Sequence, residues 1–176
     1  LAIPAAAIVM YIWGFLYWGA SPVPYLAWKS SGNDAAVQQV LKESFPESGT
    51  YYIPSFDNEP EQLAQMFEAG PVGFVHINLE GRPQVDPAIM VFGFLVNLVV
   101  CALLAALFRV TRAAEFRDFA ITSVTAAAVA VVIIDLGDAA WWQTPLDWKL
   151  MQASYNFTAL LIAGLVMGAL LKDAPD

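Results

Sequence analysis

The chain has 176 residues, is 59% hydrophobic and only 14% charged, and carries a net charge of −8. A soluble domain ordinarily devotes about 25% of its residues to charge, so this composition speaks against one soluble globular domain. The acidic balance argues against nucleic acid or anionic lipid headgroups as main partners, because both repel a negative surface.

Four apolar stretches stand out, at residues 1–20, 88–108, 119–136 and 155–171. Each approaches the ~20 residues that an α-helix needs to cross a hydrocarbon core. None shows the polar face of a helix at a water surface. The expected fold is an all-α membrane bundle of four transmembrane helices. A small α/β extracytoplasmic insert, ordered helix-strand-helix-strand, fills residues 30–86 between helices 1 and 2.

The first stretch ends in Trp13, Phe15, Tyr17 and Trp18, placed as an interfacial aromatic belt would be. It has no basic leader region, so it reads as an anchor and not as a cleaved signal peptide. A few natural residues, a basic one among them, are expected to precede Leu1.

The insert opens with Asn33 or Asp34 capping a helix that runs to Glu43 or Ser44. Ala36, Val37, Val40, Leu41 and Phe45 form its apolar stripe, and Pro46 and Gly49 end it. Residues 50–56 are β-rich. Pro60, with Glu59 and Glu61 beside it, starts a second helix that Gly70 closes. Residues 73–79 read as a second strand, followed by a turn at 80–83. Nine acidic groups face only Lys29, Lys42 and Arg82. So short a segment has little core of its own and is expected to lean on the helix ends or on a partner. Its acidic face, with Tyr51, Tyr52 and Phe56 as aromatic anchors, reads as a docking surface.

Asn97 and Cys101 lie in the second stretch. Asn97 is a group for interhelical bonding. Cys101 has no second cysteine to pair with and reads as a small apolar residue. Arg109, Arg112 and Arg117 then cluster in the connection to the third stretch. Positive residues beside spans mark the cytoplasmic side. Both termini are therefore expected in the cytoplasm and the insert outside, in the periplasm of a bacterial inner membrane.

Thr122, Ser123 and Thr125 are polar groups for contacts between helices, and Thr122 with Thr125 suggests a polar seam. Asp135 closes the third stretch, and Asp138 lies three residues on, on the same helix face. A carboxylate at membrane depth is costly and marks a candidate functional position. The position reads first as a helix end emerging into headgroups or as a bond to a neighbouring helix, with a cation or proton site, or a salt bridge to a partner subunit, as the alternatives. No charged partner is expected at that depth, because Lys149 is placed outside the membrane. Trp141, Trp142 and Trp148 form an outer aromatic belt. Ser154 and Asn156 enter the fourth stretch. Gly164 and Gly168 make a GxxxG step, a helix-contact motif because small residues let backbones approach.

His76, the sole histidine, falls in the insert, away from any second metal-binding side chain. No nucleophile elbow is present. No catalytic, cofactor-binding or metal-ligating residue is therefore assigned, and no enzyme activity is expected. No cofactor is expected either, although lipid or pigment contacts suit such a chain.

Trp13-Gly14-Phe15 through Trp18, followed by Asn33 to Val37, Leu41-Lys42, Pro46 to Gly49, Tyr51-Tyr52 and Pro54, resembles a group of small bacterial inner-membrane proteins. Those have an aromatic-rich first helix, a short extracytoplasmic insert and three further spans. The resemblance covers most of the first half and the hydropathy of the rest. It implies a fold and an envelope location, and it transfers no activity.

The expected function is that of a non-catalytic accessory subunit, docked on other membrane protein subunits of a larger complex. A respiratory or photosynthetic electron-transfer assembly is a fitting host. The alternative is a small transporter or ion-binding membrane protein that uses Asp135.

Overall fold

The structure is a computed structural model and describes residues 1–172. It divides into two compact units: a helical bundle built from residues 1–28 and from 87 onward, and an insert, residues 29–86.

In the bundle, four helices are long and apolar enough to cross a membrane: Ala2–Ala20, Pro87–Thr111, Phe116–Trp141 and Leu146–Leu171. At most 28% of the most apolar window of any of them is buried inside the protein. Leu103, Val110, Val129 and Ile133 are among the large side chains left more than 60% exposed. Such an outer surface suits hydrocarbon and not water. These features point to a multi-pass membrane protein.

The inner faces alternate small residues with large apolar ones. Ala2, Ala6, Ala7 and Met10 of the first span cluster with Cys101, Leu104 and Phe108 of the second. Phe119 of the third span and Ala159, Ala163 and Met167 of the fourth complete the core. The fourth span packs against both the third and the first, and the first also packs on the second. Between the second and third spans, Asp118 accepts hydrogen bonds from the backbone amides of Ala114 (3.2 Å) and Glu115 (3.0 Å), which starts the third helix.

Two of the four spans are longer than hydropathy alone suggests. The third continues to Trp141 and the fourth begins at Leu146, leaving only residues 142–145 between them. Pro145 precedes the first turn of the fourth span, where its missing N–H costs nothing. The helix therefore starts well before the chain turns apolar, and it carries Lys149 in its second turn.

The spans also contain two π-helical turns, Leu16–Ala20 in the first and Val131–Leu136 in the third. A π turn rotates the side chains beyond it relative to a regular α-helix, and such turns recur at functional sites.

The insert holds helix α1 (Asp34–Ser44), strand β1 (Gly49–Ile53), helix α2 (Pro60–Ala69) and strand β2 (Gly73–Ile77). The Asn33 side chain caps α1 by accepting from the Ala36 amide at 3.1 Å. Gly70 ends α2 at φ +63, a conformation that favours glycine. β1 and β2 pair antiparallel, with Thr50 opposite His76, Tyr51 opposite Val75 and Tyr52 opposite Phe74. Only Phe45 and Pro54 of the insert are buried.

Candidate functional site

The π turn of the third span presents Asp135 to the fourth span. Asp135 is 1% exposed. Its Oδ2 accepts a hydrogen bond from Asn156 Nδ2 at 3.0 Å, and its Oδ1 lies 3.9 Å from Lys149 Nζ. Lys149, itself 6% exposed, donates to Asp138 Oδ2 at 2.6 Å. Lys149 and Asn156 are seven residues apart, two helical turns, and so share one face of the fourth span.

This arrangement corrects the expectation that Asp135 lacks a charged partner at its depth. Lys149 does not lie beyond the helix. It sits within the fourth span, and its four-carbon stem carries the ammonium in among the carboxylates. Burying one charge is costly, and burying it with its counter-ion and hydrogen bonds offsets much of that cost. Asp135 is not at a helix end, since helix continues past it to Trp141, and its bond from Asn156 is instead a contact with a neighbouring helix. Gln152 lies between Lys149 and Asn156 in sequence, and its buried Oε1 finds no hydrogen-bond partner among the described residues.

The π turn of the first span treats Tyr17 in the same way. Tyr17 is 7% exposed, donates from Oη to the Met151 carbonyl at 2.8 Å and touches Ser154 Oγ. One turn earlier, Trp13 Nε1 donates to Thr158 Oγ1 at 3.1 Å. Residues 149–158 of the fourth span are therefore held from two sides by polar contacts. The sequence signals for these contacts are the polar residues Lys149, Ser154, Asn156 and Thr158 at the head of an apolar run. What sequence does not reveal is their pairing, because the π turns shift the helical phase.

Two of the hydroxyls expected to reach between helices along the third span, those of Ser123 and Thr125, turn back on their own helix. Ser123 is buried and donates to the Phe119 carbonyl at 2.7 Å. Thr125 is exposed and donates to Ile121 of its own helix at 2.9 Å. A hydroxyl that donates to its own backbone has no proton left to donate to a neighbouring helix.

Gly164 and Gly168 are buried against the third span. A Cβ on Gly164 would meet Ser123 Oγ at 1.7 Å, and one on Gly168 would meet Phe119 Cβ at 2.8 Å.

In the insert, the expected aromatic anchors divide between the two faces of the sheet, because successive strand residues point oppositely. Tyr51 packs on Phe45, with ring centroids 4.5 Å apart, and bonds through Oη to the Glu47 carbonyl. Tyr52 stacks on Phe56 at 5.1 Å with nearly parallel planes and packs on Phe74 at 4.7 Å. His76 lies parallel to Phe74 at 6.1 Å, and its Nδ1 is 2.9 Å from Thr50 Oγ1. Phe74 and His76 join this ring face because the antiparallel register sets them opposite Tyr52 and Thr50. Sequence reading, which took the segments one at a time, missed both. Among the described residues, no three His, Cys, Asp or Glu side chains gather where they could hold a metal ion.

The fold defines only a broad class, a mostly helical protein with four helices long and apolar enough to cross a membrane and a small insert with a two-stranded sheet. No protein-family model, curated protein or solved structure matches the chain.

Proposed function

We propose that the chain is a non-catalytic membrane subunit whose insert docks on a partner within a larger assembly. The observation that carries this reading is the insert's poor self-sufficiency. It buries only Phe45 and Pro54, leaves Phe56 66% and Val40 58% exposed, and has a sheet of only two strands. Such a unit gains stability and solubility when a partner covers part of it.

The direct test replaces residues 33–83 by a short linker. The spans should still insert, and partners that co-purify in mild detergent from the native membrane should be lost. Full retention of those partners by the shortened chain refutes the docking role.

The same proposal places the protein in a bacterial inner membrane with both termini cytoplasmic and the insert periplasmic, on the strength of Arg109, Arg112 and Arg117. In sealed cells, Ser55→Cys and Ser31→Cys should react with an impermeant thiol reagent and Ala114→Cys should not. Cys101 is fully buried and adds no background. Labelling of Ala114→Cys with Ser55→Cys silent inverts the topology.

The rival reading, a transporter or ion-binding protein using Asp135, draws on the burial of that carboxylate on a π turn. Lys149 weighs against it, because the ammonium already supplies the positive charge that a bound cation would bring. Cation flux through liposomes of the purified chain, abolished by Asp135→Asn, would establish the rival and displace the subunit reading.

A further inference from the structure

Between residues 43 and 81 the insert carries seven carboxylates and not one lysine or arginine. The ring face lies wholly inside this stretch. Phe56 is 66% and Phe74 41% exposed, and His76 is exposed beside them. Tyr52 links the two, stacked on Phe56 and packed on Phe74. The segments that supply these rings carry acids in the same turns: Asp57 follows Phe56, Glu59 and Glu61 open α2, and Glu68 follows Phe67. Phe67 itself packs on both Tyr52 and Phe56, at about 6 Å.

An exposed aromatic face on so acidic a segment selects its occupant by charge. The electron-rich face of an aromatic ring attracts cations, arginine most often among side chains. Carboxylates nearby steer cations in and repel acidic surfaces. A membrane surface bearing anionic headgroups is disfavoured on the same ground. A second copy of this insert would bring like charge against like. A purely apolar partner would leave the segment's carboxylates without counter-charge.

We infer that the ring face of Phe56, Tyr52, Phe74 and His76 binds an arginine- or lysine-bearing segment of a partner protein, whose cationic groups lie over the rings and are drawn there by the acidic segment that carries them. This inference rests on the reading of the insert as a docking surface and names the chemistry of its partner.

The test uses the full chain in detergent and a fluorescent arginine-rich peptide, with a length-matched peptide of neutral apolar composition alongside. The arginine peptide should bind saturably, and its affinity should fall as salt rises. Phe56→Ala with Phe74→Ala should weaken it about tenfold, the scale of two lost ring contacts. Both side chains are substantially exposed, so the change should leave the insert folded, which circular dichroism can verify. Phe56→Tyr keeps the ring and should keep the binding.

No binding of the arginine peptide, equal binding of the neutral one, or affinity unchanged by the double ring truncation each overturns the inference. If removing the insert releases the native partner while the arginine peptide fails to bind, the docking role stands and this partner chemistry falls. If the peptide binds through the rings while the shortened chain keeps its native partners, the ring site stands and the docking role falls.

Discussion

Lys149→Met should lower the stability of the detergent-solubilised protein by about 3–5 kcal/mol, the usual cost of stripping one partner from a buried ion pair. Two carboxylates depend on this one ammonium. Asp138 receives its short hydrogen bond at 2.6 Å, and Asp135 relies on its charge from 3.9 Å. They differ in their alternatives. The Asp138 side chain is 39% exposed and can turn to water or headgroups, whereas Asp135 is 2% exposed and cannot. The damage therefore falls on Asp135, which keeps only its bond from Asn156. That asymmetry fixes the rest of the series. Asp135→Asn alone should cost about 1 kcal/mol or less, because the new side chain can still accept from Asn156 and Lys149 keeps Asp138. Adding Asp135→Asn to Lys149→Met should recover most of the loss, since no buried charge then lacks a partner. Thermal unfolding of the three variants decides the matter. A Lys149→Met protein as stable as the parent, or a double variant no better than Lys149→Met alone, would show that Asp135 does not depend on Lys149.

The four long apolar helices and the two strand segments are legible because each rests on a local rule. An apolar run of bilayer length announces a span. Asn33, Pro60 and Gly70 punctuate the insert through their own backbone chemistry. The polar cluster is not local in this sense. Charge normally marks a span's end, which sets Lys149 apart from Asp135 in the sequence, and only the tertiary contact brings the two to 3.9 Å. Two π turns make the reading harder, since a period of 3.6 residues carried through Val131–Leu136 assigns the wrong face to whatever follows. The insert gives the same lesson in a sheet. Tyr51 and Tyr52 look equivalent in sequence, yet strand alternation sends one to Phe45 and the other to the ring face. Which rings join Tyr52 depends on register with a strand more than 20 residues away.

The second large effect should come from the smallest possible side chain. Gly164→Ala places a Cβ 1.7 Å from Ser123 Oγ and 2.5 Å from Ser123 Cβ. Rotating the hydroxyl away removes the first clash and breaks its bond to the Phe119 carbonyl. It does nothing for the second, because Cβ is fixed to the backbone. The third and fourth spans must then separate and lose dispersion contacts along their shared length, at a cost of about 3 kcal/mol. Gly168→Ala should cost less, since its nearest neighbour, Phe119 Cβ, lies at 2.8 Å. Gly93 has nothing within 4 Å of where its Cβ would lie. Gly93→Ala should therefore stabilise slightly, by up to about 1 kcal/mol of helix propensity. The decisive variant is Ser123→Gly combined with Gly164→Ala. It removes both clashing atoms and leaves Phe108 Cζ at 3.6 Å, an ordinary contact. It should thus be more stable than Gly164→Ala alone, although it introduces a glycine into a helix. If thermal unfolding ranks the three alanine variants alike, or if Ser123→Gly fails to rescue Gly164→Ala, the close approach of the third and fourth spans at Gly164 is wrong.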